Sequence, residues 1–117
     1  MIGLLNLLRD FAVRVNDHPG LRRPLAGWSP DFYIEASDAG HTFEVHMVGG
    51  RVEGVEPTGE EPGDEALLLR AATPVLERVF SGALSPLGAY TDGQLEVYGS
   101  QKDQIKLDVI ALVLWGA

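Results

Sequence analysis

A chain of 117 residues that is 45% hydrophobic and 22% charged has the size of one domain with one core, and is too apolar for disorder. Its formal charge of -8 repels nucleic-acid phosphates and anionic headgroups alike, which argues against a nucleic-acid partner and for weak or no binding to anionic membranes. With no cysteine there is no disulfide framework, thiolate metal site or cysteine nucleophile, which fits a cytoplasmic location.

The longest apolar run, Val109 to Trp115, is far short of the ~20 residues of a membrane span. The first residues also lack a basic segment leading to a small-residue cleavage site, so the expectation is a soluble, unprocessed chain.

Over residues 2–16, Leu4, Leu5, Leu8, Phe11, Ala12 and Val15 recur at helical spacing, with Asn6, Arg9, Asp10, Arg14 and Asn16 opposite. This predicts an amphipathic helix covering something apolar. The stretch DHPGLRRPLAGWSP holds three of the seven prolines and reads as an irregular connection anchored by Leu21, Leu25 and Trp28. Arg14, Arg22 and Arg23 form the nearest thing to a basic patch, read as solvated.

Phe32, Ile34 and Ala36 alternate with Tyr33, Glu35 and Ser37; after the turn signal Asp38-Ala39-Gly40, Phe43, Val45 and Met47 alternate with Thr42, Glu44 and His46. The pattern is an antiparallel hairpin. Gly49-Gly50 turns into a third strand, Arg51 to Val55, with Gly54 expected on the core side as a bulge or a point of close approach. Residues 56–65 carry five acids and no base and read as an exposed loop. Ala66 to Ala72 is a fourth strand, with Leu67 and Leu69 facing one way and Leu68 and Arg70 the other.

Thr73-Pro74 opens a helix, the threonine hydroxyl serving as cap; its stripe is Val75, Leu76, Val79 and Phe80, and Ser81-Gly82 ends it. Ser85-Pro86 opens a shorter helix carrying Leu87, Ala89 and Tyr90, closed by Asp92-Gly93, before a strand from Gln94 to Tyr98. After GSQKDQ comes a last helix with Ile105, Val109, Leu112 and Val113 on one stripe and Leu107, Ile110 and Leu114 on another. Being apolar nearly all round, it needs cover on two sides.

Chemistry is scarce. His18, His41 and His46 lack a third ligand at metal spacing, no GxSxG elbow is present, and the glycines at 82, 88 and 93 do not make a phosphate loop. The reading is of no enzyme, no metal and no cofactor. What remains is apolar surface beyond the needs of a small core, from which Leu76, Val79, Phe80, Leu84, Leu87, Tyr90, Ile105, Val109, Leu112 and Val113 are the candidate lining of a lipid site. Tyr90 is the candidate polar contact at its mouth. A buried methylene contributes about 0.8 kcal/mol and association costs roughly 4–15 kcal/mol, so the ligand would bury on the order of ten carbons. The alternative is an interaction or accessory module whose last helix packs across a homodimer.

SGALSPLGAYTDGQLEVYGS at residues 81–100, with FEVHMVGGRVEGVEP upstream, resembles the sterol carrier protein 2 family over about residues 30–115. Residues 1–117 are then a single such domain. The resemblance implies an α/β (α+β) fold, a five-stranded mainly antiparallel sheet covered on one face by helices. It implies a tunnel between sheet and helices for fatty acyl, isoprenoid or sterol-like lipids, and carriage without catalysis; some relatives are accessory proteins in isoprenoid-quinone metabolism. The ending Leu114-Trp115-Gly116-Ala117 is not a peroxisomal address.

Overall fold

The computed structural model describes residues 2–116. Met1 and Ala117, on which the readings of processing and address partly fall, lie outside the described residues, as does the side chain of Ile2. The elements are α1 (Ile2–Asp17), a short 3-10 turn (Pro19–Leu21), β1 (Asp31–Ala36), β2 (His41–Val48), β3 (Arg51–Thr58), β4 (Leu67–Ala71), α2 (Thr73–Phe80), α3 (Pro86–Thr91), β5 (Leu95–Tyr98) and α4 (Gln101–Trp115).

The five strands form one sheet in the order β3-β2-β1-β4-β5. Only β1 and β4 run parallel, pairing Phe32 with Leu67 and Ile34 with Leu69; the other three pairs are antiparallel. Alternation then divides the faces. Phe32, Ile34, Phe43, Val45, Met47, Leu67, Leu69 and Leu95 face the helices and are buried with Leu4, Leu8, Phe11 and Val15 of α1 and with Leu76, Val79 and Phe80 of α2. The fold is the expected α+β arrangement, a mainly antiparallel sheet with helices over one face.

Two details of the sheet depart from the sequence pattern. The β2/β3 register shifts between His46 and Met47, so Glu53 is the extra residue of a bulge. Gly54 consequently pairs with His46 on the outer face, not the core face, while Val52 and Val55 are both buried. Strand β3 also continues through Glu56, Pro57 and Thr58 into the acidic segment, because Thr42, Phe43 and Glu44 extend the partner strand beside it. As the outer edge strand it tolerates the proline. The loop that follows returns over the outer face, where Tyr33, Ala66 and Leu68 form a small separate apolar cluster.

The helix termini follow local chemistry. Ser85 accepts the Gly88 N–H and Ser100 the Asp103 N–H, each capping its helix. Thr73 does not cap α2. The cap position is Ala72, with no side-chain bond, and Thr73 stands inside the helix, donating both its N–H and its hydroxyl to Asp38 Oδ1 at 2.8 Å. The β1–β2 turn thus supplies the acceptor that the chain before the helix lacks. Gly50, at φ +84, lies where a Cβ would come within 2.2 Å of the Leu25 carbonyl oxygen, and its N–H donates to the Trp28 carbonyl at 2.8 Å. Only glycine allows that approach. Asn16, at the end of α1, both donates to and accepts from the backbone of Val52, at 2.9 and 2.8 Å, closing part of the free edge of β3.

Candidate functional site

A cavity of about 210 Å³ lies between the inner sheet face and the helices. The sheet contributes Phe32, Leu69, Leu95 and Val97; α1 contributes Phe11; α2 contributes Val79 and Phe80; α3 contributes Pro86, Leu87 and Tyr90. The remaining wall is one flank of α4: Gln104, Leu107, Asp108, Ile110, Ala111 and Trp115. Leu87 and Tyr90 are 68% and 53% exposed, which places the mouth between α3 and α4. Phe11, Phe80 and Trp115 meet on the lining, Phe11 and Phe80 edge to face with centroids 5.0 Å apart and Phe11 stacked on Trp115 at 5.9 Å. The indole N–H of Trp115 is buried and meets no acceptor, and a Cβ on Gly82 would lie 3.1 Å from that ring.

Of the ten residues named from the sequence, Val79, Phe80, Leu87 and Tyr90 lie on the cavity. Leu76 is fully buried in the core and Leu84 half-buried against it. Ile105 and Leu112 are 53% and 61% exposed. Val109 and Val113 are half-buried against the core, Val113 beside Gly20 of the 18–28 connection. The stripe of Ile105, Val109, Leu112 and Val113 is real, but at about 100° per residue its centre lies roughly 140° round the helix from that of the cavity flank. A helix apolar on every side gives no periodic signal for which side faces the sheet. On its other side α4 packs in part on the connection between His18 and Trp28, with Val113 beside Gly20, while Ile105 and Leu112 stay exposed. The sequence reading places one wall on the inner face of the sheet without naming its residues, which are Phe32, Leu69, Leu95 and Val97; it does not name Phe11, Gln104, Asp108 or Trp115 on the lining.

Polar groups at the cavity are few. Gln104 Nε2 donates to the Gly99 carbonyl at 2.9 Å, and Asp108 stands exposed. Among the described residues no histidine, serine, lysine or arginine lines the cavity.

Charge chemistry lies on the opposite face of the sheet. Arg70 reaches Glu35 at 3.2 Å and Glu96 at 3.9 Å, with its guanidinium 5.7 Å from the Tyr98 ring centroid. These partners raise its affinity for the proton, the Glu35 hydrogen bond foremost. Tyr98 donates to Glu96, which holds its phenol above the ordinary value. His46 bridges Glu44 and Glu56 at 3.7 and 3.0 Å. Among the described residues no group of three or more His, Asp or Glu is placed to hold a metal ion, and no helix is long and apolar enough to cross a membrane.

No protein-family model and no curated protein matches the sequence. Solved structures do. A crystal structure of sterol carrier protein 2 is similar at TM-score 0.64 and 18% identity, covering 97% of this chain and 99% of its own. The sterol carrier protein domain 2 of Helicoverpa armigera is similar at TM-score 0.67 and 18% identity, with 96% and 87% covered. Palmitated SCP2L2 from Aedes aegypti is similar at TM-score 0.62 and 15% identity, with 89% and 90% covered. The likeness spans 87% or more of each of these domains, and the chain has the sterol carrier protein 2 fold.

Proposed function

We propose that the protein binds and carries a long apolar ligand, a fatty acyl, isoprenoid or sterol-like molecule, in the cavity between sheet and helices, without catalysing a reaction on it. The observation that carries this reading is a cavity of about 210 Å³ whose lining is apolar apart from Tyr90, Gln104, Asp108 and the indole N–H of Trp115. The palmitated SCP2L2 among the similar folds supports a long alkyl chain as the apolar part of the ligand. Among the described residues no hydrogen bond joins Tyr90 and Asp108, the hydroxyl and carboxylate of the lining, which favours carriage over chemistry.

Size bounds the ligand. An apolar cavity of about 150 Å³ holds a six-carbon ring, so this one encloses about eight carbons by proportion. At about 0.8 kcal/mol per methylene that gives roughly 6 kcal/mol, near the low end of the association cost. Further carbons would lie along the mouth on Leu87 and Tyr90. Native mass spectrometry of the purified protein, followed by organic extraction, tests the reading: a 1:1 adduct that leaves on extraction is expected. Failure to form an adduct after incubation with alkyl, isoprenoid and sterol compounds would defeat it.

A further inference from the structure

The rim of the cavity indicates the ligand's head group, granted the apolar-ligand reading above. Gln104 and Asp108 stand one turn apart on the cavity flank of α4, across the mouth from Tyr90. Gln104 Nε2 donates one N–H to the Gly99 carbonyl, which fixes the amide orientation and leaves its acceptor oxygen and a second N–H to offer, so the sign of the rim is set by Asp108. Asp108 is exposed. Among the described residues its carboxylate has neither an ion-pair nor a hydrogen-bond partner; the ion pairs, those of His46 and Arg70, lie on the outer sheet face. Among the described residues no cationic side chain lines the cavity, and the chain's formal charge of -8 acts with the same sign at longer range.

A ligand carboxylate or phosphate seated here would therefore face an uncompensated like charge. A hydroxyl or ammonium would instead find acceptors at Asp108 and Gln104 and a hydroxyl partner at Tyr90. We infer that the cavity selects long-chain ligands whose head donates a hydrogen bond and carries no negative charge, alcohols or amines in preference to fatty acids, and that Asp108 is the residue that excludes the anion.

The test is displacement of the neutral dye Nile red from the whole protein at pH 8 and low salt by decan-1-ol, decylamine and decanoate. Decanol and decylamine are expected to displace it at concentrations about tenfold or more below decanoate. Part of that ratio reflects decanoate's own solubility, so the deciding quantity is how the ratio changes in Asp108→Asn and Asp108→Lys, with far-UV circular dichroism confirming the fold. The decanol preference over decanoate should fall about threefold or more in Asp108→Asn and further in Asp108→Lys. Equal ratios in wild type and both variants would overturn the head-group inference while leaving the cavity reading intact. Displacement by none of the three compounds would overturn both.

Discussion

The indole N–H of Trp28 donates to Oδ1 of Asp103 at 2.8 Å, joining the end of an irregular connection to the first turn of α4. Lys106 donates to the Pro24 carbonyl, and Arg14 Nη2 to the Leu114 carbonyl at 3.0 Å, where a cation also suits the helix C-terminus. These tethers lie along one side of α4. The adjoining flank of the helix is the cavity wall, so the tethers to its own chain fix where that wall stands.

Removing the first tether should loosen α4. Trp28 is 5% exposed, and Asp103→Ala would leave its N–H without a partner, a loss of about 1–3 kcal/mol. Asp103→Asn keeps an acceptor oxygen and should recover most of it. Urea unfolding of the three proteins, with hydrogen exchange across residues 101–115, checks both the size and the location of the effect.

Filling the cavity should separate binding from stability. Ala111 is buried and faces the cavity, so Ala111→Leu places three more carbons in the space a ligand would use. The expected outcome is at least tenfold weaker decanol binding with a melting temperature equal to or above wild type. Ile105→Ala and Leu112→Ala remove apolar groups from the exposed side of the same helix and should leave decanol binding within about twofold. The fluorescence titration that compares them also tests which face of α4 is functional.

That face was the part of the site the sequence left open. Strand alternation and the Ser85, Gly93 and Ser100 signals were legible because each acts within a few residues. The α4 flank was not, since Leu107, Ile110 and Leu114 are as apolar as Ile105, Val109 and Leu112, and only contact with the sheet distinguishes them. Gly54 was misplaced for a related reason: a bulge at Glu53 shifts the alternation of β3, and pairing with β2 is a long-range property. The Asp38–Thr73 contact joins residues 35 apart, so local pattern assigned the cap to the threonine alone.

The Asp38 contact carries a pH signature. The Thr73 N–H, and then its hydroxyl, favour the charged carboxylate and hold Asp38 below its ordinary value of 3.8. A depressed folded-state value means that the stabilisation is complete above the unfolded carboxyl's range and is lost as pH falls through the folded value. Asp38→Ala should therefore melt below wild type at pH 7, and the gap should narrow as the pH falls below about 4. Paired thermal melts between pH 7 and pH 2 check it.

Trp115 should report occupancy. It lines the cavity with its N–H unpaired, whereas Trp28, the other tryptophan, is committed to Asp103 away from the cavity. A ligand should shift the intrinsic emission, and Trp115→Phe should abolish most of that shift. A shift that persists undiminished in the variant would place the ligand elsewhere.

Affinity as a function of chain length is the most direct measurement of whether an apolar chain occupies this cavity. Nile red displacement by alkan-1-ols of six to sixteen carbons should tighten about fourfold per methylene at first, the equivalent of about 0.8 kcal/mol. The gain should become shallower beyond about eight carbons, where a cavity of about 210 Å³ is full and the chain continues along the exposed mouth. No displacement at any length, or displacement independent of length, would contradict a binding cavity between the sheet and α4.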